Sequence, residues 1–149
     1  MDWYLLVPGD AQWPPESTQI MLETLSVQID CAGIMGIRTN KKEIYSKNRR
    51  LISWGYSILA NADLGIKCSD PGSIKLLPRQ VTLIAKSPKG MATEIESMLI
   101  AQRLENKKIS VVPVPWTMRQ FGNESGSSLK HVLKTVLYVP FLFFLKLKG

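Results

Sequence analysis

Residues 91–114 change hydrophobic period once, and that change restricts the fold more than any other feature of the chain. Over 91–105 the apolar side chains Met91, Ile95, Met98, Leu99 and Ala101 recur at helical spacing, and 109–114 is then dense in β-branched residues. A helix feeding directly into a strand is the result. The rest of the chain repeats this alternation. Residues 3–7 are a short aromatic and aliphatic run ended by Pro8-Gly9, which predicts a buried strand running into a loop. Pro14-Pro15-Glu16 supplies the fixed φ and early negative charge of a helix start, with Ile20, Met21 and Leu25 on its apolar face. A second strand is predicted over 29–37 and a loop over 41–48. A helix then follows over 49–63, carrying Leu51, Ile52, Tyr56 and Leu59, with Gly65 as its stop. Ser69-Asp70-Pro71-Gly72 predicts a turn, 73–77 a short strand, Pro78 the start of a helix to 85, and Ser87-Pro88-Lys89-Gly90 a break. Strands alternating with helices predict an α/β or α+β layered domain, not a bundle or a sandwich.

At 149 residues the chain is long enough for one domain with a substantial core. Nineteen Lys and Arg against twelve Asp and Glu give a net charge of +7, which suits an anionic partner: nucleic acid, a membrane surface or a phosphorylated ligand. There is no aromatic-basic run of the RNA-binding type, no zinc-finger spacing and no compact helix-turn-helix, so no nucleic acid is expected. Cys31 and Cys68 lack CxxC spacing and read as reduced core thiols. Met1-Asp2-Trp3 opens no basic-then-apolar leader, which predicts a cytoplasmic location. Residues 136–145 form the longest apolar run, but a membrane span needs about 20 residues and Pro140 interrupts this one. With Lys130, Lys134, Lys146 and Lys148 around it, the run reads either as a peripheral anchor on anionic lipid or as a terminal helix docked on the core. The expected division is therefore a domain over 1–128 and an apolar, basic helix over 129–149.

Chemistry-bearing residues follow the predicted strands. Asp10 and Gln12, after the first strand and before the double proline, offer hard oxygen ligands of the kind that hold Mg²⁺ or Mn²⁺, although an Asp in such a loop also caps helices. Arg38 and Arg119 each come soon after an apolar strand, and Arg is suited to bidentate phosphate contact. Arg49, Arg50 and Lys75 are further cations, for which a solvated surface position is the alternative. Asp70 before Pro-Gly is first of all a turn residue. Trp116 reads as packing the domain edge.

In their order, these segments resemble the second half of a family 2 glycosyltransferase of the dolichyl- and polyprenyl-phosphate sugar synthase type. Asp10 and Gln12 match the second acidic position and the amide of that family's metal loop, and Pro8 stands where its first carboxylate would be. Gly36-Ile37-Arg38 matches its Gly-x-Arg, and Asn48-Arg49-Arg50-Leu51 the start of its acceptor-loop helix. Asp70-Pro71-Gly72-Ser73-Ile74-Lys75 is similar to its Asp-to-Lys element, in compressed form, and Glu94-Ile95-Glu96 to its acidic turn. Val112-Pro113-Val114-Pro115-Trp116-Thr117-Met118-Arg119, followed by Gly122-Asn123-Glu124-Ser125, resembles its closing motif.

The resemblance implies an α/β, partial GT-A-like domain that acts on a nucleotide sugar and a polyprenyl phosphate. In that reading Asp70 and Arg119 are catalytic, while Arg38, Arg49, Arg50 and Lys75 bind substrate phosphate. Asp10 and Gln12 hold Mg²⁺ or Mn²⁺, with affinity lowered by Pro8. The nucleotide-gripping first half of such an enzyme is expected to precede Asp10, so the chain reads as truncated and inactive alone: a fragment of a split gene, a chain with an internal start, or one whose first half a separate polypeptide supplies. The alternative is a catalytically dead scaffold or partner subunit at the membrane surface.

Overall fold

The computed structural model describes residues 2–9, 12–28, 30–39, 47–65, 70, 72–84 and 91–117. Within them strands and helices alternate as β1 (Trp3–Leu6), α1 (Pro15–Val27), β2 (Gly33–Arg38), α2 (Lys47–Leu64), β3 (Lys75–Pro78), α3 (Arg79–Ile84), α4 (Met91–Glu105) and β4 (Ile109–Val114). The protein is thus a mixed α/β domain. Asp10, Cys68, Arg119, the 122–125 motif and the apolar run at 136–145 lie outside the described residues.

The four strands form one sheet in the order β1-β3-β2-β4. β2 and β4 are parallel, in register from Gly33 opposite Ile109 to Arg38 opposite Val114, whereas β3 runs antiparallel to both β1 and β2. β1, β2 and β4 consequently point the same way. Their carboxyl ends and the amino end of β3 share one edge of the sheet, and this edge carries the residues of interest.

Both faces of the sheet are covered, which explains why the central strands β2 and β3 are buried along most of their length rather than alternating in exposure. Side chains still alternate between the two cores with the period of two that a strand imposes. Ile34 and Leu76 join Met21 of α1 and Val114 on one face, and Met35 and Leu77 join Tyr56, Ala60, Ile95 and Met98 from α2 and α4 on the other. Gly36 is a packing requirement: a Cβ there would lie 2.6 Å from Ile74 Cγ2 and 2.7 Å from Val114 Cγ2. Gly65, at φ +66°, ends α2 in the left-handed conformation that glycine adopts at low cost.

Three boundaries differ from the sequence reading: β2 and β3 start later than expected, and α2 starts earlier, at Lys47 instead of residue 49. β2 begins at Gly33 rather than at residue 29, because the chain bends out of α1, where Gln28 N–H donates to Thr24 O at 2.8 Å, and joins the sheet ladder through Ala32 N–H to Lys108 O at 2.9 Å. β3 begins at Lys75, after a turn in which Ser73 N–H donates to Asp70 O at 3.2 Å. α2 buries Tyr56 and Ala60 but leaves Leu51 67% exposed. At about 100° per residue, Leu51 lies about 140° around the helix from Tyr56, so the two cannot share a buried face. Cys31 is a buried free thiol, as predicted. Among the described residues no helix is long and apolar enough to cross a membrane.

Candidate functional site

β2 ends on Arg38, and strand pairing sets this residue beside Val114 at the edge where three strands finish. Arg38 Nε and Nη2 donate to Asp70 Oδ2 and Oδ1, so the guanidinium fork meets the carboxylate bidentately. Both side chains are nearly out of solvent, at 12% and 3% exposure. Burial of that kind is tolerated when the two charges satisfy one another. The guanidinium carbon also lies 5.0 Å from the centre of the Trp116 ring and 5.8 Å from that of Trp13, within cation–π range of both.

Local bonds hold these two tryptophans in place. Thr117 N–H donates to Gln12 O at 2.9 Å, and Gln12 Nε2 returns a bond to Thr117 O at 3.2 Å. Ser17 Oγ, at the start of α1, donates to Pro115 O at 2.7 Å. The entry to α1 is thereby tied to the exit of β4, and Trp13 and Trp116 are brought to the same arginine.

Lys75 opens β3 at the same edge and is 2% exposed. Its ammonium donates to Ser73 O at 2.7 Å and to Glu94 Oε2, in the first turn of α4, at 3.3 Å. Two of its three N–H donors are accounted for in this way. Beside it is a cavity of about 310 Å³ with an apolar wall of Leu6, Val7 and Pro8 and a polar wall that includes Ser73, Lys75 and Glu94. The buried hydroxyl of Ser73 has no hydrogen-bond partner among the described residues. The lining therefore combines donors and a carboxylate with apolar surface, a mixture that suits a ligand having both characters.

The structure brings Gln12, Arg38, Asp70 and Lys75 to one edge although they are scattered over the sequence. Two expectations change. Arg38 and Lys75 are not open cations awaiting phosphate, because each is already paired with a carboxylate. Asp70 is indeed a turn residue, but its side chain is the buried counter-charge of Arg38. Arg50 is exposed on α2, away from both pairs in sequence, while Asp10, Arg119 and the side chain of Arg49 are outside the described residues. The sequence reading missed the ion-pair role of Glu94 and the part Trp13 plays beside Arg38. The one signal for Glu94 was its place in the first turn of a helix. Among the described residues there is no group of three or more His, Cys, Asp or Glu able to hold a metal ion. Gln12 is buried with its amide nitrogen directed to the backbone, so the described residues do not by themselves fit Mg²⁺ or Mn²⁺.

No family model, no curated protein and no solved structure matches the chain.

Proposed function

We propose that the chain is a glycosyltransferase-like domain with GT-A-like layering, whose sheet edge handles phosphate groups during sugar transfer from a nucleotide diphosphate to a polyprenyl phosphate. One observation carries this reading. Gln12, Arg38, Asp70, Lys75, Glu94 and Trp116, taken from five segments of the sequence, lie outside the carboxyl ends of β1, β2 and β4. Open α/β sheets bind their ligands in that position.

The reaction makes a modest demand on proton transfer. An acceptor phosphate, with a second pKa of about 6, is already anionic near neutral pH. Its oxygen bonds to the anomeric carbon, the bond from that carbon to the diphosphate oxygen breaks, and the electron pair leaves with the nucleoside diphosphate. Neutralising the two clustered phosphates is the main requirement. In this reading Arg38 and Lys75 add positive charge to the sheet edge while Asp70 and Glu94 hold them in place. Arg49, Arg50 and Arg119 are the further cations that the resemblance assigns to this task.

The test is an assay of the protein, alone and co-expressed with a polypeptide carrying the nucleotide-sugar half, on polyprenyl phosphate in detergent micelles. A panel of UDP- and GDP-sugars is supplied with and without Mn²⁺, and the readout is the mass of a lipid-linked sugar. Formation of that product supports the reading. Neither product nor millimolar binding of UDP, GDP or polyprenyl phosphate would sink it.

A second reading, a scaffold or partner subunit without catalysis, is favoured by the neutralisation of Arg38 and Lys75 by carboxylates and by Pro8 in place of an acidic ligand. It predicts a stable complex with a transferase in which Lys75→Met leaves the partner's rate unchanged.

A further inference from the structure

Among the described residues α2 packs on one side. Tyr56 and Ala60 are buried against the sheet and α4, whereas Leu51, Trp54 and Ile58 on the opposite side are 67%, 63% and 45% exposed. At about 100° per residue these three fall within an arc of about 60°, and exposed Lys47 lies in the same arc one turn earlier. Three large apolar side chains on one helix face, open to solvent, form a patch of the kind that marks an interaction surface.

The charges of α2 say what kind of surface covers it. Lys47, Arg49 and Arg50 all fall in or beside its first turn, which contains no acidic residue. Cations at that end add to the positive end of the helix dipole, so negative charge outside the helix is favoured there. Basic residues at one end with Trp, Leu and Ile along one face match an interfacial helix, in which the aromatic ring sits at headgroup depth and the cations meet anionic headgroups. The net charge of +7 on the whole chain acts in the same direction.

We infer that α2 is a membrane-contacting helix that seats Leu51, Trp54 and Ile58 in the interface of an anionic bilayer, with Lys47 and Arg50 at the headgroups. The inference rests on the exposure and charge of α2 and not on the sugar-transfer reading. A failure of transfer leaves it standing, and a failure to bind lipid leaves the transfer assay to be judged by its own product.

The experiment is flotation of the full chain with vesicles of phosphatidylcholine alone or mixed with phosphatidylglycerol, at low and high salt. Binding to the anionic vesicles is expected to exceed binding to the neutral ones by about tenfold or more and to weaken as salt is raised. Leu51→Ser/Trp54→Ser/Ile58→Ser should lower it by about tenfold or more while leaving the circular dichroism unchanged, since all three side chains are exposed. Bromine-labelled acyl chains should quench tryptophan emission of the parent protein, and Trp54→Phe should abolish most of that quenching. Several results would overturn the assignment: no vesicle binding by the parent, unaltered binding by the triple variant, or quenching that survives Trp54→Phe. Binding abolished only by Phe141→Ser/Phe143→Ser/Phe144→Ser would move the contact to the terminal segment. A concentration-dependent dimer lost in the triple variant would show that a second copy covers the stripe.

Discussion

Asp70 holds Arg38 with both carboxylate oxygens while its own backbone carbonyl closes the turn that leads into β3, accepting from Ser73 N–H at 3.2 Å. One residue thus fixes the end of β2 and the start of β3 relative to each other. Because both side chains are buried, removing one charge leaves the other without compensation, a loss of about 3–5 kcal/mol. Asp70→Asn and Arg38→Met should each lower stability on that scale in urea unfolding. The double variant should cost clearly less than the sum of the two. Strict additivity would show that the two side chains act independently.

Glycine 36 gives a steric prediction with an internal control. Gly36→Ala places a methyl group against two β-branched side chains at 2.6 and 2.7 Å, and neither of those methyls is the end of a flexible chain. Overpacking of this kind costs about 1–3 kcal/mol. Gly55, inside α2, has nothing within 4 Å of where its Cβ would be, and Gly55→Ala should stabilise by about 1 kcal/mol through helix propensity alone. Thermal melts of the two variants should therefore move in opposite directions.

The architecture was legible because it rests on local signals. The double proline starts α1, Gly65 ends α2, and the β-branched run from Ile109 becomes β4 with the bounds expected of it. The place of Arg38 at the end of β2 was legible for a related reason, whereas Lys75, expected inside a strand over 73–77, opens β3 instead. What the residues do there was less so. Whether a lysine is solvated or buried depends on what reaches it from across the fold, and Glu94 reaches Lys75 from 19 positions away. The approach of both Trp13 and Trp116 to Arg38 depends similarly on the tie between residues 12 and 117, a link of 105 positions that no local pattern announces. The exposed face of α2 was misread for a simpler reason: Leu51 was grouped with Tyr56 although helical geometry turns them apart.

On the opposite end of the sheet, Lys107 donates to Asp30 Oδ1 at 3.0 Å and links the connections that lead into β2 and β4. The hydrogen bond to Asp30, and then the negative charge of that carboxylate, raise the Lys107 pKa above 10.5. For a lysine raised in the folded state, the stabilising contribution is complete below 10.5 and disappears as pH climbs through the folded value. Asp30→Asn should lower the Lys107 midpoint followed by side-chain NMR. The stability difference between parent and variant should shrink as pH rises above 10.5 and should also shrink in high salt. A difference that grows with alkaline pH would have the wrong sign for this pair.

The pair formed by Lys75 and Glu94 is lopsided, and that asymmetry makes the last prediction. Lys75 is 2% exposed at its side chain and Glu94 33%. If Lys75 is replaced by Met, the carboxylate left behind can turn to water, and the unbranched apolar side chain refills most of the space along β3. The remaining loss is the bond to Ser73 O, about 1 kcal/mol. If Glu94 becomes Gln instead, the ammonium stays buried with a neutral neighbour and its desolvation is no longer offset by an opposite charge. The cost should then be about 1–3 kcal/mol. Glu94→Gln should therefore destabilise more than Lys75→Met, and Lys75→Met should rescue Glu94→Gln in the double variant. Urea unfolding at neutral pH reads both orders directly. Were Lys75→Met the more damaging change, the hydrogen bond to Ser73 O would be the interaction that matters and the carboxylate only an adjunct. The polar wall of the cavity would then be organised by the backbone of the turn that begins at Asp70.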